Sequence, residues 1–182
     1  MSFQKIVFAG HSACFIHTKE LVIAIDPWLQ ANPSCPDDLK SPDKIDLIVL
    51  THGHFDHASE AAGLAKSLGS KVIATFELAQ LLGNEGVPES QLCPMNKGGT
   101  LEIEGLNVSL THAMHSSSYE TASGPQYAGE ACGVVLGDGI RNLYHAGDTA
   151  LFSDMSLIKD QYQPEIALLP IGDRFTMGPV EA

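Results

Sequence analysis

DLIVLTHGHFDHA, residues 46–58, joins an apolar run to a stretch that holds three of the chain's eight histidines and an aspartate. Leu47–Leu50 reads as a buried strand. If the extended chain continues, His52, His54 and Asp56 fall on one face, because side chains on a strand repeat every two residues. Gly53 removes bulk between the two imidazoles and lets the backbone bend as it leaves the sheet. Asp56 and His57 lie where the chain turns into a following helix, so they point elsewhere than the first pair. That arrangement suits two adjacent metal ions. Neutral imidazole and carboxylate are zinc ligands that also accept manganese or iron, and paired cations can activate one water between them.

Outward from this stretch, Lys5–Ala9, Ala13–Thr18 and Leu21–Asp26 are short β-branched or aromatic runs separated by turn residues, which predicts an opening β-meander. After residue 58, Ala61, Leu64, Ala65 and Leu68 recur at helical spacing until Gly69 closes the turn. Lys71–Ala74, Leu106–Thr111, Cys132–Leu136, Asn142–His145 and Ile166–Pro170 read as further strands, and Glu77–Leu82 and Met155–Tyr162 as helices. Sheets covered by helices follow from this mixture. Gln30–Asp43, rich in Pro, Asp and Ser, reads as one surface loop. Met177–Ala182 reads as the start of a helix, with Pro179 at its first position and Glu181 in its first turn. The expectation is one domain over residues 1–182 that is C-terminally incomplete.

Further ligands are needed for two metals. In THAMHSSS, residues 111–118, His115 follows a strand and precedes three serines, which makes it the candidate; His112 sits within the strand pattern and reads as a packing histidine. In YHAGDT, residues 144–149, Asp148 can bridge two cations with its two oxygens. His145 has the opposite strand parity and reads as a supporting or structural residue. His11, in the Gly10-His11-Ser12 turn, can face the site from a loop on a rigid scaffold, an idle turn residue being the equal alternative. Asp26 ends a strand and can accept an N–H from a ligand histidine, or simply form a turn. Ser116–Ser118 lack the Gly-x-Ser-x-Gly elbow of a serine nucleophile and read as loop residues placing His115 or substrate. Arg174 reads as a surface residue with anion contact as the alternative, and His17 as exposed.

Composition narrows the classes. Ten Lys+Arg against 22 Asp+Glu give a formal charge of −12, which disfavours a phosphate-tracking surface and a nucleic-acid partner. Apolar stretches such as Leu21–Ile25 fall far short of the roughly 20 residues of a membrane span. The N-terminal segment lacks the apolar centre of a signal peptide, so a cytoplasmic location is expected. Cys14, Cys35, Cys93 and Cys132 are scattered without a Cys-x-x-Cys pair, which predicts free thiols.

His52-Gly53-His54-Phe55-Asp56-His57, with His115 and Gly147-Asp148-Thr149 downstream, resembles the metallo-β-lactamase superfamily signature. GHSACF, IDPWL, HSSSY, YHAGDTALFSDM and PIGDRFTMGP resemble its branch of small stand-alone metal-dependent hydrolases related to sugar-phosphate lactonases. The resemblance implies an α/β fold, the four-layer αββα sandwich, with a dinuclear site at one edge. It implies that His52, His54 and His115 bind one metal, that Asp56 and His57 bind the other, and that Asp148 bridges. The family's later histidine has no counterpart, because none follows His145; the resemblance therefore also implies an absent C-terminal segment and leaves the second metal short of one ligand.

The implied activity is hydrolysis of an ester, lactone or phosphodiester bond by a metal-bridged hydroxide, with Asp56 and Asp148 as the catalytic carboxylates and two divalent ions, zinc first and manganese or iron next, as cofactors. The implied partner is a small-molecule substrate, anionic in one version; a homo-oligomer is compatible with this reading, and neither nucleic acid nor membrane is expected. A non-catalytic metal-binding or regulatory domain and a di-iron redox protein are the alternatives. The redox relatives carry Glu where this chain has His54, which disfavours the latter.

Overall fold

The computed structural model describes residues 2–182. Its first sheet takes six strands in chain order across the sheet: β1 (Lys5–Phe8), β2 (Cys14–His17), β3 (Val22–Ile25), β4 (Leu47–Val49), β5 (Lys71–Thr75) and β6 (Leu92–Met95). The first three form the antiparallel meander, and β3 to β6 are parallel. Parallel neighbours need crossovers: the loop over residues 26–46 joins β3 to β4, short helices α1 (Phe55–Ala58) and α2 (Ala61–Leu68) lie between β4 and β5, and α3 (Phe76–Asn84) lies between β5 and β6.

Next come β7 (Thr100–Ile103) and β8 (Leu106–His112), a separate hairpin of β9 (Ser118–Thr121) and β10 (Gly124–Tyr127), then β11 (Cys132–Gly137), β12 (Asn142–His145), helix α4 (Met155–Tyr162) and β13 (Ile166–Leu168). The second sheet has the order β13-β12-β11-β8-β7, antiparallel except for β12 and β13.

Three apolar clusters define four layers. Ile23, Ile25, Leu47, Val49 and Ile73 of the first sheet meet Leu106, Val108, Leu110, Val134 and Leu136 of the second. Burying each of these side chains contributes about 1.5–3 kcal/mol. On the outer face of the first sheet, Ala24, Ile48, Val72 and Ala74 pack under Ala61, Ala62, Ala65, Leu78, Ala79 and Leu82 of α2 and α3. On the outer face of the second, Val135, Tyr144 and Ala146 pack against Phe152 and Ile158. The result is the expected αββα sandwich. β4 and β11 are buried along their whole length because both of their faces are covered, which is why they read as unbroken apolar runs.

Several elements differ from the sequence reading. The loop over residues 30–43 contains a short 3-10 turn, Asp37–Leu39. β6, β7 and the β9–β10 hairpin were not foreseen, and Ser118 opens β9 rather than lying in a loop. His17 is half-buried beside Phe15, not exposed, because it pairs with Lys5 inside the meander. Around Pro179 the chain closes a single turn, with Ala182 N–H donating to Gly178 O at 3.1 Å and Gly178 N–H donating to Glu181 Oε2 at 3.0 Å. All four cysteines are free. Among the described residues no helix is long and apolar enough to cross a membrane.

Candidate metal centre

The histidine-rich segment leaves the first sheet at its junction with the second. β4 stops at Val49, and the chain then touches the other sheet directly, Cys132 N–H donating to Thr51 O at 2.9 Å. The extended path continues only to His54, and Phe55 begins α1. His52 and His54 do converge, with His52 Nε2 3.0 Å from His54 Nδ1. Asp56 is carried by the helical turn instead of by strand alternation, because Phe55 has already left the extended conformation. Gly53 is required by crowding: a Cβ there would lie 2.7 Å from Ala128 Cβ and 2.9 Å from Ser118 O.

The remaining candidates arrive from the ends of β8 and β12. Thr149, fully buried, ties the two loops together: its hydroxyl accepts Met114 N–H at 2.9 Å, and Ala150 N–H donates to Met114 O at 3.1 Å. This brings His115 Nε2 to 3.8 Å from Asp148 Oδ2, which is also 3.6 Å from His57 Nε2. At Gly147, φ of 62° and a hypothetical Cβ 2.7 Å from Thr51 Cβ both demand glycine, so the Asp148 loop can lie against the His52 segment.

Three groups of donor atoms result, of which one, Asp26 with His52 and His57, is tied up in hydrogen bonds behind the site. His52, His54 and His115 offer nitrogens that all lie within 4.8 Å of one another, and so do the donor atoms of His11, Asp56 and His57. His11 faces the site, with Nε2 3.2 Å from Asp56 Oδ2 and 3.3 Å from His57 Nε2. His112 does not; it is exposed, beside Lys97 and edge-on to Phe152.

Hydrogen bonds fix which nitrogen each imidazole presents. Asp26, completely buried, accepts Thr51 N–H at 2.8 Å, Thr51 Oγ1–H at 2.6 Å, Ser12 Oγ–H at 3.1 Å and His57 Nδ1–H at 2.8 Å. Because the Thr51 hydroxyl proton goes to Asp26, Thr51 Oγ1 accepts from His52 Nδ1 at 3.0 Å. His52 Nε2 is thereby left as a lone pair aimed into the site, and Nε2 is the nitrogen that His57 turns toward it. His145 is the opposite case. Its Nδ1 accepts Gly147 N–H at 3.1 Å and its Nε2–H donates to Ser12 O at 3.0 Å, so it is structural and bolts the β12 end to the His11 turn.

The electrostatics of the donors favour a positive charge among them. Burial and the neighbouring His57 push His52 down to about 3, and burial and His115 also push His54 down. Burial opposes a charge on His57, yet Asp26 and Asp148 overcome it and raise its pKa to about 10. Burial likewise opposes ionisation of Asp56 and Asp148, but His11 and His57 hold Asp56 down at about 2 and His57 holds Asp148 low. Uncharged imidazoles at His52 and His54, ionised carboxylates at Asp56 and Asp148, and a His57 whose Nε2 proton a cation would displace form a divalent-cation donor set, and the N/O chemistry suits zinc.

The donors open into a cleft of about 870 Å³. Phe8, Phe55, Ile171 and Phe175 give it an apolar rim, and Ser116 lies within it, 3.5 Å from His54 Nε2. Arg174 turns onto the Phe175 ring, its guanidinium carbon 5.1 Å from the ring centroid.

The family model described as the β-lactamase superfamily domain matches residues 22–182. The chain belongs to the metallo-β-lactamase superfamily. Among curated superfamily relatives, it is 49% identical over 182 residues to a UPF0173 metal-dependent hydrolase of Myxococcus xanthus, covering 98% of this chain and 64% of that protein. It is 43% identical to one of Koribacter versatilis, covering 98% of this chain and 76% of the relative. Among solved superfamily structures, Igni18, a metallo hydrolase from Ignicoccus hospitalis, aligns with a TM-score of 0.80 and 35% identity over 95% of this chain and 72% of its own. A structure described as a possible metal-dependent hydrolase from Veillonella parvula aligns at TM-score 0.73 and 20% identity, covering 94% of this chain and 72% of its own, and supports the fold alone.

The structure brings His52, His54, Asp56, His57, His115 and Asp148 together, with His11 beside them and Asp26 and His145 directly behind. Thr51, Thr149 and Ser12 were missed. The one available signal was position: Thr51 and Thr149 each adjoin a candidate ligand.

Proposed function

We propose that this chain is a dinuclear metal-dependent hydrolase acting on an ester, lactone or phosphodiester bond of a small anionic substrate. The observation that supports it is the position of Asp148 Oδ2 between the two donor groups, 3.6 Å from His57 Nε2 and 3.8 Å from His115 Nε2. The relatives named above are themselves metal-dependent hydrolases, which points the same way.

In this reading His52, His54 and His115 hold one divalent ion, Asp56 and His57 hold the other, and Asp148 is shared. Zinc is the expected metal, with manganese or iron as alternatives. When bound, such a pair supplies Lewis acidity that brings water ionisation near neutral pH and polarises the attacked oxygen. The chain does the rest. Asp26 and Thr51 hold two imidazoles in their ligand tautomers. Asp148 and Asp56, ionised and facing the cleft, orient a water and receive its proton, as carboxylates within hydrogen-bond reach do. The rim of Phe8, Phe55 and Phe175 seats the apolar part of the substrate and screens the reacting bond from bulk water.

The test is metal quantification together with hydrolysis of bis(p-nitrophenyl) phosphate, a lactone and a thioester, comparing wild type with Asp56→Ala and Asp148→Ala. Two equivalents of metal and turnover of one substrate class, lost by at least about 100-fold in both variants, are expected. Turnover that survives both substitutions would overturn the reading.

A further inference from the structure

We infer that His11, at the tip of the turn between β1 and β2, is itself a ligand of the second cation, completing the Asp56–His57–Asp148 set. This rests on the dinuclear reading above.

The two contacts of His11 have the spacing of donors around one ion. Two donors bound to one zinc at about 2.0–2.1 Å in tetrahedral geometry stand roughly 3.3 Å apart. His11 Nε2 is 3.2 Å from Asp56 Oδ2 and 3.3 Å from His57 Nε2, and His57 Nε2 is 3.6 Å from Asp148 Oδ2. His57 Nδ1–H is committed to Asp26, so Nε2 is the nitrogen that points at this position. Asp56, His57 and Asp148 offer three donors where zinc takes four, and His11 offers a fourth.

The turn is built to hold it. Asn32, almost completely buried, donates to Gly10 O at 3.1 Å and Trp28 O at 3.1 Å. Ser12 is held on its side chain by Asp26 at 3.1 Å and on its carbonyl by His145 at 3.0 Å. The His11 ring packs edge-on to Trp28, centroids 5.5 Å apart, and to His57, centroids 5.0 Å apart. Three buried polar groups thus brace a two-residue turn whose exposed tip turns its imidazole inward. His11 itself stands at φ 56°, a left-handed conformation uncommon for a non-glycine residue. The alternative role, a hydrogen bond that merely orients Asp56, accounts for the 3.2 Å contact but not for the approach of His57 Nε2.

The test compares wild type with His11→Asn, which keeps the left-handed turn accessible and removes the imidazole, and with His11→Gly as a second backbone-compatible variant. Zinc is titrated into each metal-free protein, and the imidazole count per zinc is read by X-ray absorption; far-ultraviolet circular dichroism reports folding. Wild type binding two zinc ions, with both variants folded and the second zinc weakened beyond the roughly 10–100-fold typical of an orienting residue, is the expected result. One imidazole fewer in the variants' absorption spectra supports the same assignment. Two zinc ions held with unchanged affinity and unchanged imidazole count in a folded variant would overturn it. A wild type that binds a single zinc would overturn the dinuclear reading and this inference together, which keeps the two failures distinguishable.

Discussion

Asp26 Oδ2 accepts the Nδ1–H of His57 at 2.8 Å in a site from which both side chains are fully excluded from solvent. The carboxylate ends β3, the imidazole sits in α1, and the same oxygen also takes the Thr51 hydroxyl at 2.6 Å. One buried charge therefore sets the tautomer of two imidazoles, and the following expectations depend on it.

Replacing Asp26 separates orientation from packing. Asp26 stands at φ 47°, which asparagine tolerates, so Asp26→Asn preserves the backbone. Its amide presents N–H where His57 Nδ1 or Thr51 needs an acceptor, and the His57 proton is driven toward Nε2. Metal affinity is expected to fall by about 10–100-fold, measured by zinc titration. Asp26→Ala additionally leaves buried donors unpartnered and is expected to lower stability by about 3–5 kcal/mol in a denaturant melt. Unchanged zinc affinity in Asp26→Asn would show that the tautomer is set elsewhere.

Gly53 carries a different kind of constraint. A Cβ at this position would meet Ala128 Cβ at 2.7 Å and Ser118 O at 2.9 Å, so Gly53→Ala must push the His52–His54 segment away from the β9–β10 side. The expected loss of stability is about 1–3 kcal/mol, with a larger proportional loss of the zinc held by His52 and His54. Thermal melting and zinc titration of the same preparation check both. A variant that melts early yet binds zinc normally would contradict the link between this contact and ligand placement.

Asp138 gives a pH dependence independent of the centre. Its oxygens accept the N–H groups of Phe3 at 2.9 Å, Ile140 at 2.8 Å and Arg141 at 2.7 Å. Burial opposes its ionisation, but these three donors outweigh it and hold its pKa below the ordinary value. A carboxylate depressed in the folded state stabilises the fold above its unfolded pKa, and that contribution disappears as pH falls through the folded pKa. Asp138→Asn should therefore be less stable than wild type at neutral pH, and the gap should close on acidification below about pH 4. Denaturant melts across that range measure it; a gap that widens at low pH would refute the assignment.

How much of this was legible in the sequence follows from where each signal lies. His52, His54, Asp56 and His57 sit within six positions, and β4 and β11 are buried on both faces, so both signals are local and strong. The strands that were not foreseen, β6 and β7, lie at sheet edges, and β9–β10 stands apart, so burial writes little pattern into them; β6 also contains Pro94, which an edge strand accommodates. The parity argument placed Asp56 on a strand face because no residue before Phe55 announces the helical turn. Thr51 and Thr149 escaped notice since a hydroxyl acquires its role only when remote segments meet. Whether His11 turned inward depended on the β1–β2 turn, which no spacing rule specifies.

Metal removal should be felt across the whole sandwich. His52, His54, Asp56 and His57 follow a strand of the first sheet, whereas His115 and Asp148 follow strands of the second, so cations shared among them, as proposed, would cross-link the two layers at one edge. A ligand that binds only the folded state stabilises it by about 4 kcal/mol at a thousandfold excess over its dissociation constant. Chelation is expected to lower the melting temperature accordingly and to raise amide exchange in residues 51–57, 113–118 and 146–149, while the interior strands β4 and β11 stay protected. Re-addition of zinc should reverse both changes. Should chelator leave melting and exchange unaltered in a preparation shown to contain metal, the ions do not bridge the two sheets, and the shared position of Asp148 would need another explanation.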